Sequence, residues 1–458
     1  MSQPVDASRI SELEQVVAAA IAEAAARGAS QVEADASLQR GLTATVRLGE
    51  VDTIEYHRDR GLAVTVYMGQ AKGSASTADL RPAAVLETVQ KACAIARHTA
   101  ADPCAGLAER DALAQDIPDL DLFHPWELAP EQAVELAREC EAAGLACDSR
   151  LRNSEGATLT THSGVRVYGN SNGFLAGYPS TSHSLSCALV AQQDDDMQRD
   201  YWYSVARHPE GIEAPAVIGR QAAQRALRRL GARRLSTRRA PILFVPELAR
   251  GVYGHFIAAI RGVSQYRRSS FLLEAAGEQV FPQYLSIIER PHLPRGLASS
   301  PFDAEGVATR DRDLVQDGVL QGYVLGSYSA RKLGLKTTGN AGGIHNLMIQ
   351  AHGRPRADGS VERPSGSFEE LLRRMGTGFL VTELMGQGVN GVTGDYSRGA
   401  SGFWVEHGAI SYPVHEVTIA GNLREMLRTV VAIGTDVDAQ GAIQSGSLLL
   451  EGMTIAGE

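Results

Sequence analysis

Between residues 32 and 68 the chain alternates apolar and other side chains in three runs: Val32, Ala34, Ala36 and Leu38; then Leu42, Ala44, Val46 and Leu48; then Leu62, Val64, Val66 and Met68. Successive side chains of a strand point to opposite faces, so each run places its apolar members together. The three runs predict strands of one half-buried sheet. A helix is predicted just before them, where Ser8 to Arg27 carries Ile10, Leu13, Val16, Val17, Ala20 and Ile21 on one stripe. Ser11 and Glu14 are spaced like a capping box there, and Gly28 follows the last turn. A second helix is predicted from Pro82 to about His98, since proline lacks only an N–H that a first helical turn leaves unpaired anyway.

The stretch from Thr99 to Leu128, with Pro103, Pro118 and Pro125, reads as a crossing linker. A helix from about Pro130 to Ala143 follows, then strands around Gly156 to Tyr168 and Phe174 to Val190, with Asn172-Gly173 as a hairpin signal between them. A further helix, about Ala214 to Leu230, ends in Arg228, Arg229, Arg233, Arg234, Arg238 and Arg239, which we read as a helix C-terminus and a solvated linker rather than an anion-binding patch. From Pro241 the chain becomes Gly-rich, with short β-like segments at Ile242 to Val245, Val319 to Leu325, Gly378 to Leu384, Gly402 to Val405, Ala409 to Tyr412 and Glu416 to Ile419. Val405 to Ala409 reads as a tight hairpin, and helices are predicted at Glu247 to Ile260 and Asn422 to Ala432. A length of 458 residues calls for two or three domains. The pattern gives an α+β protein: an N-terminal α/β domain over 1–110 with helices on mixed sheets, a central α+β region over 111–237, and a C-terminal domain over 238–458 rich in antiparallel sheet.

The formal net charge of -9 argues against a nucleic-acid binder, which draws affinity from Lys and Arg on phosphates. Cys93, Cys104, Cys140, Cys147 and Cys187 lack CxxC spacing and read as reduced thiols. The polar start, Met1 to Asp6, has neither the basic opening nor the apolar run of a signal peptide, and no apolar stretch is long enough to span a membrane. The expected location is the cytoplasm, with neither nucleic acid nor membrane as a partner.

Gly386-Gln387-Gly388-Val389-Asn390-Gly391 matches GxGxxG, but the turn-rich Val392 to Gly399 cannot supply the helix N-terminus that a dinucleotide needs. His415-Glu416 lacks the second histidine of HExxH and lies in a β-branched run. Neither a P-loop nor a GxSxG elbow is present.

Five motifs in order remain: Tyr328-Ser329-Ala330-Arg331-Lys332-Leu333-Gly334, Gly342-Gly343-Ile344-His345-Asn346, Met375-Gly376-Thr377-Gly378, Val381-Thr382-Glu383-Leu384-Met385-Gly386-Gln387-Gly388 and Gly394-Asp395-Tyr396-Ser397-Arg398-Gly399-Ala400. Together they resemble the PmbA/TldD family of metalloproteases, most closely its PmbA branch, also called TldE, over nearly the whole chain. The resemblance implies a heterodimer with a TldD-type subunit that carries HExxxH. Two histidines and a cysteine near that subunit's C-terminus bind zinc there, and the glutamate activates water. Aligned on His255, the first histidine's place is held by Arg250 and the glutamate's by Gly251, and no cysteine follows Cys187. A protonated guanidinium cannot coordinate a cation, so this chain is expected to hold no zinc and to leave metal and general base to its partner.

The resemblance also implies small or unfolded peptides as substrates, such as microcin precursors and labile antitoxins. An extended peptide could add to a free sheet edge of the C-terminal domain. Asp395, Tyr396 and Arg398, then His345 and Asn346, are the candidate contacts for peptide or partner. Two other readings stay open: a binding protein that modulates a gyrase-related system without proteolysis, and a homodimeric peptidase with a metal site built from His255, His345 and His407 or His415. A homodimer formed in the absence of the partner is also compatible with the sequence.

Overall fold

The structure is a computed structural model that describes residues 8–355, 361–362 and 364–457. The polar segment Met1 to Asp6 lies outside them. The first half of the chain runs α1 (Arg9–Ala26), β1 (Gln31–Arg47), β2 (Glu50–Met68), β3 (Ala71–Thr77), α2 (Pro82–His98), α3 (Pro130–Leu145), β4 (Leu151–Asn170), β5 (Leu175–Gln193), β6 (Asp196–Ala206) and α4 (Pro215–Arg228). Its strands form one sheet in the order β3-β2-β1-β4-β5-β6. Every neighbouring pair is antiparallel, where mixed sheets were expected, because tight turns join most of the strands directly. At the β1–β2 turn, for example, Leu48 and Gly49 both adopt positive φ, the twist that a two-residue hairpin needs.

The two alternating runs before Leu48 are one continuous strand. Their pattern breaks at Arg40, the position between Leu38 and Leu42 on that face, and on the opposite face a Cβ at Gly41 would lie 2.7 Å from the Thr161 carbonyl oxygen. The even-numbered residues of β1 all face one way. Val32, Ala34 and Ala36 pack with Leu13, Val17 and Val89 of α1 and α2, and Leu42, Ala44 and Val46 pack with Ala137 and Ala222 of α3 and α4. All four helices therefore cover one side of the sheet. The sheet also joins the stretches on either side of the boundary expected at residue 110, since β1 pairs with β4 over most of its length.

The second half runs β7 (Arg238–Phe244), α5 (Pro246–Ile260), α6 (Gly262–Tyr266), β8 (Leu285–Arg290), β9 (Arg312–Gln316), β10 (Val319–Leu320), α7 (Ser327–Leu333), β11 (Asn346–Ala351), β12 (Arg354–Pro355), β13 (Val361–Glu362), β14 (Ser365–Gly366), α8 (Phe368–Met375), β15 (Gly378–Met385), β16 (Asp395–Glu406), β17 (Ala409–Asn422), α9 (Leu423–Arg428), β18 (Val430–Gly434), β19 (Ile443–Gln444) and β20 (Leu448–Ala456). The larger sheet has the order β14-β18-β20-β17-β16-β15-β7, and β7 also pairs with β20. Five strands thus close on one another, which removes the long free edge on which a peptide was expected to add. A second sheet, β10-β9-β8-β11-β19, packs beside it, and α5 shares a core with both through Val252, Tyr253 and Phe256.

Two sequence expectations need correction in detail. Ser11 lies inside α1, which begins at Arg9 and has no side-chain cap, so the expected capping box is absent there. The box forms instead at α8, between Ser367 and Glu370. The helix expected over Asn422 to Ala432 stops at Arg428, and Val430 to Gly434 pair with β20 as strand β18.

The stretch after α2 does more than cross. Leu107, Leu113, Leu120 and Leu122 are buried along it, and Leu113 joins Tyr168, Phe174, Phe302 and Val307 in a small core between the two halves. The arginine run is only in part the solvated linker that was expected, with Arg228, Arg233, Arg234 and Arg239 exposed. Arg229 is buried and pairs with Asp200 of β6 and Glu383 of β15. Arg233 and Arg238 stack on the rings of Tyr412 and Trp404 at 4.8 and 5.0 Å. Among the described residues no helix is long and apolar enough to cross a membrane.

Candidate functional site

Helix α5 buries Ala249, Val252, Tyr253, Phe256, Ile257, Ala259 and Ile260. Helical periodicity then turns Arg250, Gly251, Gly254 and His255 outward. A Cβ added at Gly251 or Gly254 would meet nothing within 4 Å, so the outer face of the helix is open at both. The motif positions read from the sequence are thus brought to one accessible surface.

Arg250 is held rather than free. Its Nη2 donates to the Tyr203 hydroxyl on β6 at 2.7 Å, and its Nη1 donates to the Gln440 carbonyl at 3.1 Å and lies 3.3 Å from an Asp438 carboxylate oxygen. These partners are 47 and 190 positions away for Tyr203 and Gln440, so spacing in the sequence gave no sign of them. His255 sits one turn on, its ring edge-to-face with Tyr396 at 6.0 Å. Burial pushes the His255 pKa down, and the Arg398 charge pushes it further the same way. The imidazole is therefore held neutral.

Tyr396 and Arg398 stand on β16, two residues apart and so on one face. The Arg398 guanidinium forms no ion pair among the described residues, and its Nε is buried without an acceptor. Asp395, at the start of the same strand, is exposed and accepts hydrogen bonds from Thr393 Oγ1 at 2.6 Å and Asn422 Nδ2 at 3.4 Å. His255, Tyr396 and Arg398 form one cluster, with Asp395 at its margin.

His345 and Asn346 do not join it. Asn346 opens β11 fully buried, donating to the Arg290 carbonyl and Ser299 Oγ and accepting from Ala298 N–H. His345 is buried against Glu289, whose Oε1 accepts its backbone N–H at 2.7 Å and contacts its Nδ1 at 3.1 Å. Glu289 also receives Asn340 Nδ2 and Arg312 Nε. Burial raises the Glu289 pKa, but the bonds from His345 and the Arg312 charge outweigh it and hold the carboxyl at about 2. Both residues look like loop positions in sequence because Gly342-Gly343 precede them, yet the chain passes straight from those glycines into a central strand. As direct peptide or partner contacts they are corrected: their side chains are spent inside the fold. Among the described residues no group of three His, Cys, Asp or Glu side chains is placed to hold a metal ion, so His255, His345, His407 and His415 are not gathered into one.

Fold and site together define an α+β protein of two joined halves, in which the half-buried helix α5 turns Arg250, Gly251, Gly254 and His255 to its open face. PmbA/TldA metallopeptidase domains match the chain in order: domain 1 over residues 32–96, the central domain over 123–230 and the C-terminal domain over 237–457. The metalloprotease PmbA of Escherichia coli O157:H7 is 50% identical over 446 residues, 97% of this chain and 96% of that protein. A Bacteroides thetaiotaomicron crystal structure described as a candidate DNA gyrase modulator has a TM-score of 0.89 at 25% identity, covering 98% of this chain and 99% of its own. TldE from Thermococcus kodakarensis shares the fold, with a TM-score of 0.83 at 19% identity over 97% of this chain and 100% of its own. This chain belongs to the PmbA/TldD metallopeptidase family.

The zinc that the family name implies does not fit the donors present. Position 250 offers a guanidinium already committed to three partners, position 251 has no side chain, and the one histidine lies beside a second cation, Arg398. A catalytic zinc needs about three protein ligands of N, O or S type.

Proposed function

We propose that this chain is the PmbA/TldE-type, non-catalytic partner of a TldD-type zinc subunit, in a cytoplasmic complex that degrades or trims small unfolded peptides. The observation that carries this reading is Arg250: the place of a first zinc ligand is taken by a cation that holds the fold together instead. The open face of α5 at Gly251 and Gly254, with Arg398 beside His255, is the surface offered to the partner's peptide channel. The Arg398 guanidinium contacts the Tyr396 hydroxyl but has no ion-pair partner among the described residues, which suits a peptide carboxylate or an acidic side chain that it can hold in bidentate fashion.

The test is elemental analysis for zinc on the purified chain, with peptide hydrolysis measured alone and after mixing with a TldD-type subunit. Activity confined to the mixture, with zinc carried by the partner, is the expected result. Stoichiometric zinc and chelator-sensitive cleavage by this chain alone would overturn the proposal.

A further inference from the structure

The side of the N-terminal sheet that faces away from its helices carries a cavity of about 700 Å³. Its floor is Glu33 of β1 with Tyr67 of β2 and Tyr168 of β4, its roof is the loop at residues 99–108, and its far wall comes from Glu305, Tyr328 and Ala341 of the C-terminal half. Arg331 fixes the roof by donating to the carbonyls of Cys104, Gly106 and Leu107 at 2.8, 2.6 and 3.0 Å. The cavity is therefore a built feature of the junction.

Most charges around it are already matched. Asp35 is paired with Arg166, whose Nε donates at 2.6 Å. Asp102 takes Lys332 Nζ at 3.0 Å and the Tyr328 hydroxyl at 2.7 Å. Two carboxylates are left over. Glu33 accepts the Tyr67 hydroxyl on one oxygen at 3.0 Å and the Tyr168 hydroxyl on the other at 2.9 Å, but forms no ion pair among the described residues. Glu305 accepts the Ser327 N–H at 2.8 Å and likewise has no cation partner among them. Against these, among the described residues that line the cavity, stands one amine, Lys72, 5.9 Å above the Tyr67 ring.

An ionised carboxylate offers about four acceptor positions, so Glu33 keeps capacity after both tyrosines are served. Burial pushes its pKa up, with the hydroxyl bonds and the Lys72 charge only partly opposing, as expected of an acid that lacks a close cation. Burial, and next the Glu33 charge, push both tyrosines upward, so they remain hydroxyl donors that orient the carboxylate. The rest of the lining includes methyl groups from Ala63, Ala100, Ala105, Ala108, Ala304 and Ala341, with Thr65, Gln70 and Thr99 as neutral polar members. The methyl-lined wall suits a methylene chain.

We propose that this cavity binds a ligand bearing a primary ammonium on a short aliphatic chain, held between Glu33 and Glu305. An ammonium presents three donors, which matches two carboxylates that have free acceptor positions. A metal ion is disfavoured because no third ligating side chain converges there among the described residues. The same chemistry is presented by a free diamine and by the amino end or lysine side chain of a peptide. The proposal is independent of whether the chain pairs with a zinc subunit.

Isothermal titration of the full chain alone, with cadaverine, trialanine amide and N-acetyl-lysine amide, tests the proposal. Saturable binding of at least one of them is expected, abolished when its ammonium is acetylated. Preference for cadaverine points to a free diamine, preference for trialanine amide to a peptide terminus, and preference for N-acetyl-lysine amide to a lysine side chain. Glu33→Gln and Glu305→Gln should each weaken binding about tenfold or more, and Lys72→Met should tighten it, since a matched charge lost or gained at a desolvated site changes affinity on that scale. Lys72→Met removes no hydrogen bond of the fold, so it remains informative if Glu33→Gln fails to fold. Absence of saturable binding for all three amines up to roughly 10 mM, an affinity too weak to matter, would overturn the proposal. So would binding indifferent to acetylation and to all three substitutions.

Discussion

Replacing Arg250 with alanine should loosen the joint between the two halves of the molecule. The guanidinium spans from α5 to Tyr203 on β6 and to the loop at Asp438 and Gln440, and that loop is itself tied to β6 because Gln440 Oε1 accepts the Val205 N–H at 2.7 Å. Arg250 is 22% exposed at its side chain and Asp438 12%, so neither is a surface charge free to find water when its partner goes. Removing one partner of a fully buried pair costs about 3–5 kcal/mol, and an exposed pair about 0–1 kcal/mol. Between those limits, two hydrogen bonds and one charge pair lost together give roughly 2–3 kcal/mol. For units of this size that corresponds to roughly 5–10 °C in the first thermal transition. Calorimetry on Arg250→Ala, Asp438→Asn and the double variant measures it. The double variant should lose less than the sum of the singles, with a coupling of about 1 kcal/mol or more. Arg250→Ala within about 0.5 kcal/mol of the parent, the range of an ordinary surface change, or strict additivity in the cycle, would refute the reasoning.

Rewriting HExxxH by Arg250→His with Gly251→Glu should still leave the chain without stoichiometric zinc in elemental analysis, because no third ligand converges and Arg398 stays beside His255; one zinc per chain would show that the donor argument is wrong. Glu289, held at about 2 against an ordinary 4.5, contributes stability that is complete above pH 4.5 and is lost as pH falls towards 2. Its contribution is roughly 3 kcal/mol, so Glu289→Gln should lower stability at pH 7 and flatten the acid side of the stability profile in denaturant titrations; an unchanged acid limb would count against the role given to His345 and Arg312. Arg398→Ala should lower peptide hydrolysis by the mixed complex at least tenfold while its zinc content stays constant, as expected when one charged contact to a carboxylate is removed; undiminished activity would take Arg398 out of the channel.

Elements with a single period were legible in the sequence and elements without one were not. Helix α2 runs from Pro82 to His98 as read, and β1, β2, β4, β5 and α5 lie where alternation or helical stripes placed them. Strand β20 escaped notice because Leu448, Leu449 and Leu450 are buried in succession, so one strand shows its apolar side on both faces and no alternation survives. Helix α8 is only 8 residues long, too short for a stripe to register, and is fixed by its capping box. At the site, the ordered motifs were enough to point to Arg250, Gly251 and His255, and to Tyr396 and Arg398. They could not show that the histidine and asparagine after Gly342-Gly343 turn inward, since the partners that hold them, Glu289 and Ser299, are 56 and 47 positions away. Burial is set by those distant contacts, which no local pattern encodes.

Position 250 is a joint of the fold, and its contacts decide which side chain can stand there. The site needs a side chain that reaches a hydroxyl, a carbonyl and a carboxylate on two separate elements at once. A guanidinium carries five donors in a planar fork and stays charged, whereas an imidazole has two ring nitrogens and is often neutral. Histidine at 250 could satisfy at most two of the three partners and would leave Asp438 without a permanent cation. Arg250→His should therefore be destabilised nearly as much as Arg250→Ala. If its stability instead matched the parent, the three contacts would be incidental and the arginine would need another explanation.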